Sequence, residues 1–291
     1  MSFKRALAAP MVEALNAEYD KGGWWKTLAD DKETLIAIRD QYLNVYRNGC
    51  NLAEVRYANG KLVAKIHYKY LLIKKSPKPY VSCIDGIPQI NNHADFFISS
   101  LGQIDDIKAA TDTYGGDEKI GVHKIVLANQ NIVDTEIALS GNESDDEDSR
   151  IDVCAIQKEE GKLFLRFFEA KHYSYKGALR AENGDAKVIG QLEKYSATLE
   201  QQRDDILVAY KESIRLAGAI MGRNILGKES ANDSLDNLQI DTEPRLVVFG
   251  YDGDQKDGSN FNKHMDKLKG KIHGRLLLRG DAKDFAVGIS K

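Results

Sequence analysis

Two consecutive apolar segments, residues 150–156 (RIDVCAI) and 162–173 (KLFLRFFEAKHY), flank a turn at 158–161 and carry charge where a buried strand ordinarily carries none. Side chains alternate along an extended strand, so Glu169 and Lys171 project to one face. If the preceding strand pairs alongside, Asp152 meets them at the same sheet edge. Charges placed just after Phe164, Leu165, Phe167 and Phe168 are costly to bury unless they are paired or bound to a metal. Any fold of this chain therefore has to accommodate a partly buried cluster of two acids and a lysine.

At 291 residues the chain can fill one large domain or up to two ordinary ones. The formal net charge of -3 supplies no overall basic field, although a local basic groove can coexist with an acidic remainder. No apolar run approaches the roughly 18 residues of a membrane span. The N-terminus, MSFKRALAAPMVEALNAEYD, turns polar too soon for a secretory signal, so the expectation is a cytoplasmic protein with no membrane partner. Cys50, Cys83 and Cys154 are widely spaced, with neither a CxxC nor a zinc-type Cys/His pair, and read as reduced, buried, small apolar side chains. Walker A, G-x-S-x-G and H-E-x-x-H motifs are absent, which leaves ATPase, serine-hydrolase and zincin readings without support.

The first fifty residues read as helical, through MVEALNAEY and then KETLIAIRDQYLNVYRN, where Leu35, Ile38, Tyr42, Val45 and Tyr46 fall near helical spacing. Between them the tandem Trp24-Trp25 reads as a core anchor, with a base-stacking platform as the sharper alternative. Alternation on either side of Asn59-Gly60 predicts a hairpin ending at 76–79. Lys61, Lys65, Lys69, Lys74 and Lys75, interleaved with Tyr57, Tyr68 and Tyr70, make it either a solvated sheet face or a contact surface for DNA. Residues 91–112 and the DEKIGVHKIVLANQ segment read as helices, and NIVDTEIALSG as a strand with Ile132, Asp134 and Glu136 on one face. The acidic block at 142–149 reads as a solvated loop. Residues 185–221 form one long or two consecutive helices, followed by a polar connection, a strand at RLVVFGYDG, a basic helix carrying Lys263, Lys267, Lys269 and Lys271, and a strand at RLLLRGDA. GYDGDQKDG lacks the spacing of an EF-hand and reads as a Gly/Asp turn. His172, next to Lys171, points to the opposite strand face and reads as structural. The alternation of elements beyond residue 113 argues for a mixed α/β domain at 113–291, preceded by a helical and β-hairpin region at 1–112.

The D-x16-E-x-K pattern of Asp152, Glu169 and Lys171, followed by the Q-x3-Y of Gln191 and Tyr195, resembles the PD-(D/E)XK nuclease superfamily, in its RecB-like branch. The resemblance covers residues 113–215 and departs from the pattern in having Ile151 where a proline commonly precedes the aspartate. It implies a restriction-endonuclease-like core, a central mixed sheet flanked by helices, that hydrolyses phosphodiester bonds of DNA, with RNA left open. It further implies that Asp152 and Glu169 hold Mg²⁺ or Mn²⁺, with the Ala170 carbonyl as an added ligand. Glu118 supplies a further acid from the preceding helix, with Asp134 and Glu136 as rivals for that place. Lys171 would orient or deprotonate the attacking water, its pKa lowered by the nearby cation and partial burial, or stabilise the charged transition state. Gln191 and Tyr195 share a helix face and would position the scissile strand. By analogy, a nuclease without a motor suggests an effector of bacterial restriction or anti-phage defence, restrained by a protein partner or by homo-oligomerisation through the N-terminal region. The competing reading is a non-cleaving nucleic-acid-binding or protein-docking module on the same fold.

Overall fold

The computed structural model describes residues 3–73, 78–90, 98–139, 150–220 and 235–287, arranged as two β-sheets with helices between and around them. The acidic block, Lys74, Lys75 and the first part of the helix read at 91–112 lie outside the described residues.

The chain opens with α1 (Ala9–Asp20), entered through Pro10, whose fixed φ suits a first helical turn. α2 (Trp24–Asp30) buries both tryptophans, as expected of a core anchor. The segment read as a second long helix is instead a hairpin of β1 (Leu35–Ile38) and β2 (Tyr42–Arg47). Its turn is set by Gln41 at φ 64, which no helix admits. β3 (Cys50–Ala58) and β4 (Lys61–His67) pair across Asn59-Gly60, both at positive φ as the predicted hairpin turn demands. β5 (Tyr80–Ile84) and β6 (Ile87–Pro88) complete a six-stranded antiparallel meander, so the N-terminal region is a full sheet and not one hairpin beside helices. One face of this sheet, through Leu43, Val55, Ala64 and Ile66, packs on α1 and α2 and on the end of α7 at Ala217.

The second sheet runs β12-β11-β9-β8-β7 and is mixed. β7 (Ile132–Ala138), β8 (Arg150–Glu159) and β9 (Lys162–His172) form an antiparallel meander. β11 (Arg245–Phe249) and β12 (Leu276–Leu278) then add in parallel beyond β9. β10 (Leu238–Ile240), unread in the sequence because three residues within a polar connection carry no pattern, pairs in parallel with the start of β9. α6 (Lys187–Gln201) and α7 (Arg203–Ala219) cover one face through Tyr195, Leu199, Ile206 and Tyr210, over Leu163, Leu165 and Phe167. α9 (Ser259–Ile272) continues that cover over Leu246 and Val248. The opposite face receives α4 (Asp117–Leu127) together with Leu35, Ala37 and Tyr46 of the first sheet. The two sheets therefore share a core. α3 (Ile104–Asp112), the short α5 (Lys176–Leu179) and α8 (Gly253–Asp257) complete the helices; α8 starts in the Gly/Asp turn, where Asp252 and Gln255 form a capping box. All three cysteines are buried and free, and among the described residues no helix is long and apolar enough to cross a membrane.

Candidate active site

The apolar row Leu163, Leu165, Phe167 on β9 lies beneath α6 and α7, and the next two residues on that face are Glu169 and Lys171. Both are buried, Glu169 to 1% exposure. The Lys171 ammonium donates to Glu169 Oε1 at 2.8 Å and to Glu118 Oε1 at 3.1 Å. Glu118 sits in the first turn of α4, where a carboxylate also favours the helix dipole, and its Oε2 accepts from the backbone N–H of His172 at 3.3 Å. On the neighbouring strand Asp152 accepts from the Ala170 N–H through Oδ2 at 2.7 Å. Strand pairing thus joins Asp152, Glu169, Lys171 and Glu118 in one cluster.

The electrostatics of that cluster are unbalanced. Burial, and then Glu169, raise the pKa of Asp152 well above the carboxylate range. Burial raises Glu169 to about 7 against the opposing pull of Lys171. For Lys171, burial disfavours the charge, but Glu169, Asp152 and Glu118 outweigh it and hold the pKa above the ordinary lysine value. With these carboxylates alone around it, Lys171 is held as an ammonium; the lowering expected of it belongs to a site that also carries a cation. Glu169 Oε2 is buried and, among the described residues, has no hydrogen-bond partner, a costly condition for a carboxylate. Uncompensated negative charge and an orphaned oxygen fit a hard cation that prefers oxygen ligands, although among the described residues no three His, Cys, Asp or Glu side chains already converge as a metal-binding group.

The rival acids separate. Asp134 is buried with Arg39, with Arg5 at 2.8 Å and with the Tyr210 hydroxyl at 3.0 Å, an ion cluster apart from the site. The register of β7 shifts between Ile132 and Asp134, which breaks the expected alternation, and Glu136 stands at φ 53; it lines the same cleft as Glu169 and raises the pKa of both Asp152 and Glu169. The Ala170 side chain packs into the core behind the site. Gln191 donates to the Tyr195 hydroxyl at 2.8 Å, and that hydroxyl donates to the Arg150 carbonyl at 2.6 Å. They share a face as expected, and the pair ties α6 to the strand two residues before Asp152.

The cluster opens into a cleft of about 1260 Å³ walled by both sheets. Lys69 lines it, from the 3-10 turn after β4, while Lys61 and Lys65 do not and pair with Asp85 and Glu54. His172, read as structural, also lines the cleft, and its Nδ1 lies 2.7 Å from Ser174 Oγ. Strand alternation gave no signal for that placement, because it belongs to the end of β9, where Gly250 at φ 76 lets the imidazole pass with no Cβ in its way. No protein-family model, curated protein or solved structure matches the chain.

Proposed function

We propose that this chain is a divalent-metal-dependent nuclease of the PD-(D/E)XK type. The observation that carries the reading is the buried Oε2 of Glu169, unpartnered among the described residues, beside Asp152 and Lys171 at the edge of a cleft of about 1260 Å³. The antiparallel meander followed by parallel strands on the far side of β9 supports it, being the mixed sheet that the resemblance implies. Asp152 and Glu169 would hold Mg²⁺ or Mn²⁺, with Glu118 and Glu136 the nearest further acids. The bound cation supplies charge neutralisation at the phosphate and an ionisable water. Lys171 would orient the attacking water or contribute positive charge to the transition state. Gln191 and Tyr195 act as positioning residues, holding the start of β8 and with it Asp152. Anti-phage defence or restriction, with activity restrained by a partner or by self-association, is the setting we propose by analogy.

The test is cleavage of supercoiled, linear duplex and single-stranded DNA, and of RNA, with Mg²⁺ or Mn²⁺. Wild type is expected to cut, and Glu169→Ala and Lys171→Ala to lose activity by at least about a hundredfold, the scale of removing a preorganised charge. Variants that cut as well as wild type would remove the assignment.

A further inference from the structure

Part of the cleft wall is aromatic, through His67, Tyr70, Tyr80 and Tyr114. The His67 ring lies 4.8 Å from that of Tyr68, 6.0 Å from Tyr70 and 5.5 Å from Tyr80. Tyr114 follows, 6.0 Å from Tyr70, and the Lys69 ammonium stands 4.4 Å over its ring. Tyr80 is 60% exposed and Tyr114 48%, and Tyr175, 49% exposed, lines the same cleft just past β9. Large rings left half in water, one of them with a lysine over a face, form an exposed aromatic surface.

The charge of the cleft constrains what fits it. Among the described residues, seven Lys/Arg and seven Asp/Glu line it. A cleft without excess cation draws little affinity from phosphates alone. Base faces are the remaining source, and a duplex hides them, whereas a single strand presents them for stacking on aromatic rings. We infer that the His67–Tyr80–Tyr114 wall is a stacking platform that selects single-stranded nucleic acid for the site. The inference rests on the nuclease reading for its purpose, but its binding measurement does not.

Binding is measured by fluorescence anisotropy with the full chain in EDTA, so that nothing is cut. The probes are labelled single strands of about fifteen nucleotides, as oligothymidylate and oligouridylate, the same-length abasic strand, and a duplex. The base-bearing strands are expected to bind at least about tenfold more tightly than the abasic strand and the duplex. Tyr80→Ala and Tyr114→Ala should each weaken binding about tenfold, and Tyr80→Phe should leave it unchanged. Equal affinity for abasic and base-bearing strands, or no effect of Tyr80→Ala, would overturn the platform. Tyr80-dependent binding without cleavage in Mg²⁺ would leave the platform standing and remove the nuclease reading. Cleavage without base-dependent binding would do the reverse.

Discussion

Glu169 is a carboxylate that its surroundings discourage from ionising, and a cation reverses that preference. Glu169→Gln keeps the shape and an oxygen for Lys171 while removing the charge a metal needs. Wild type should therefore gain stability with Mn²⁺, by about 2.7 kcal/mol at a hundredfold excess over Kd, and Glu169→Gln should gain far less. Thermal melts with and without Mn²⁺ decide it, and equal shifts in both proteins would place the ion elsewhere. His123 offers a separate test on α4, away from this chemistry. Burial lowers its pKa from 6.5 to about 4, and its Nε2 N–H donates to the Glu33 carbonyl at 2.9 Å. Folded His123 stays neutral while the unfolded imidazole takes up a proton below pH 6.5, so stability is full above that pH and falls as pH drops toward 4. The loss attributable to this ring is about 3 kcal/mol. In His123→Gln, urea midpoints should fall less between pH 7 and 4.5 than in wild type; an unchanged slope would exclude the ring as the cause.

At the scale of elements, α4 is held against the sheet by the absence of a side chain. A Cβ on Gly121 would meet the buried ring of Phe249 at 2.0 Å. Gly121→Ala gains about 1 kcal/mol of helix propensity but overpacks the contact by about 1–3 kcal/mol. The expected result is a net loss of stability in urea, accompanied by weaker cleavage, because lifting α4 carries Glu118 away from Lys171. A more stable Gly121→Ala with full activity would show that α4 can shift freely. What the sequence revealed follows the same local physics. Asn59-Gly60 was legible because both residues stand at positive φ, and the β8–β9 pair because strand alternation and a turn coincide. β1 and β2 were misread because nearly every side chain in them is buried, on both faces. Alternation then vanishes, and Leu35, Ile38, Tyr42, Val45 and Tyr46 fall into helical spacing by coincidence. The acids and lysine of the candidate site stood out as charges in an apolar strand. The aromatic wall was legible only at Lys69 and Tyr70 of the hairpin, since Tyr80, Tyr114 and Tyr175 come from three distant segments that only the tertiary fold brings to one cleft.

The whole molecule is joined at Asp134. This single buried carboxylate binds Arg5 from the N-terminal segment, Arg39 from the end of β1 and Tyr210 from α7, while itself lying on β7. Burial alone would raise its pKa, but Arg39 and Arg5 outweigh that and keep it below the usual range. Arg39 also donates to the Thr135 carbonyl at 2.6 Å, so one guanidinium satisfies groups that would otherwise be stranded between the sheets. Removing one partner of such a cluster leaves buried charge unpaired and costs about 3–5 kcal/mol. Arg39→Met is therefore expected to lower stability by that amount. Because the sheets share a core, it should do so for both at once. The two tryptophans, Trp24 and Trp25, both lie in the first sheet's core, so their fluorescence follows that layer alone while far-UV circular dichroism follows the whole chain. Urea curves from the two probes should coincide in wild type and move together in Arg39→Met. A fluorescence transition that shifts by itself would mean that the first sheet unfolds independently, and that the cleft between the sheets is held by less than the shared core implies.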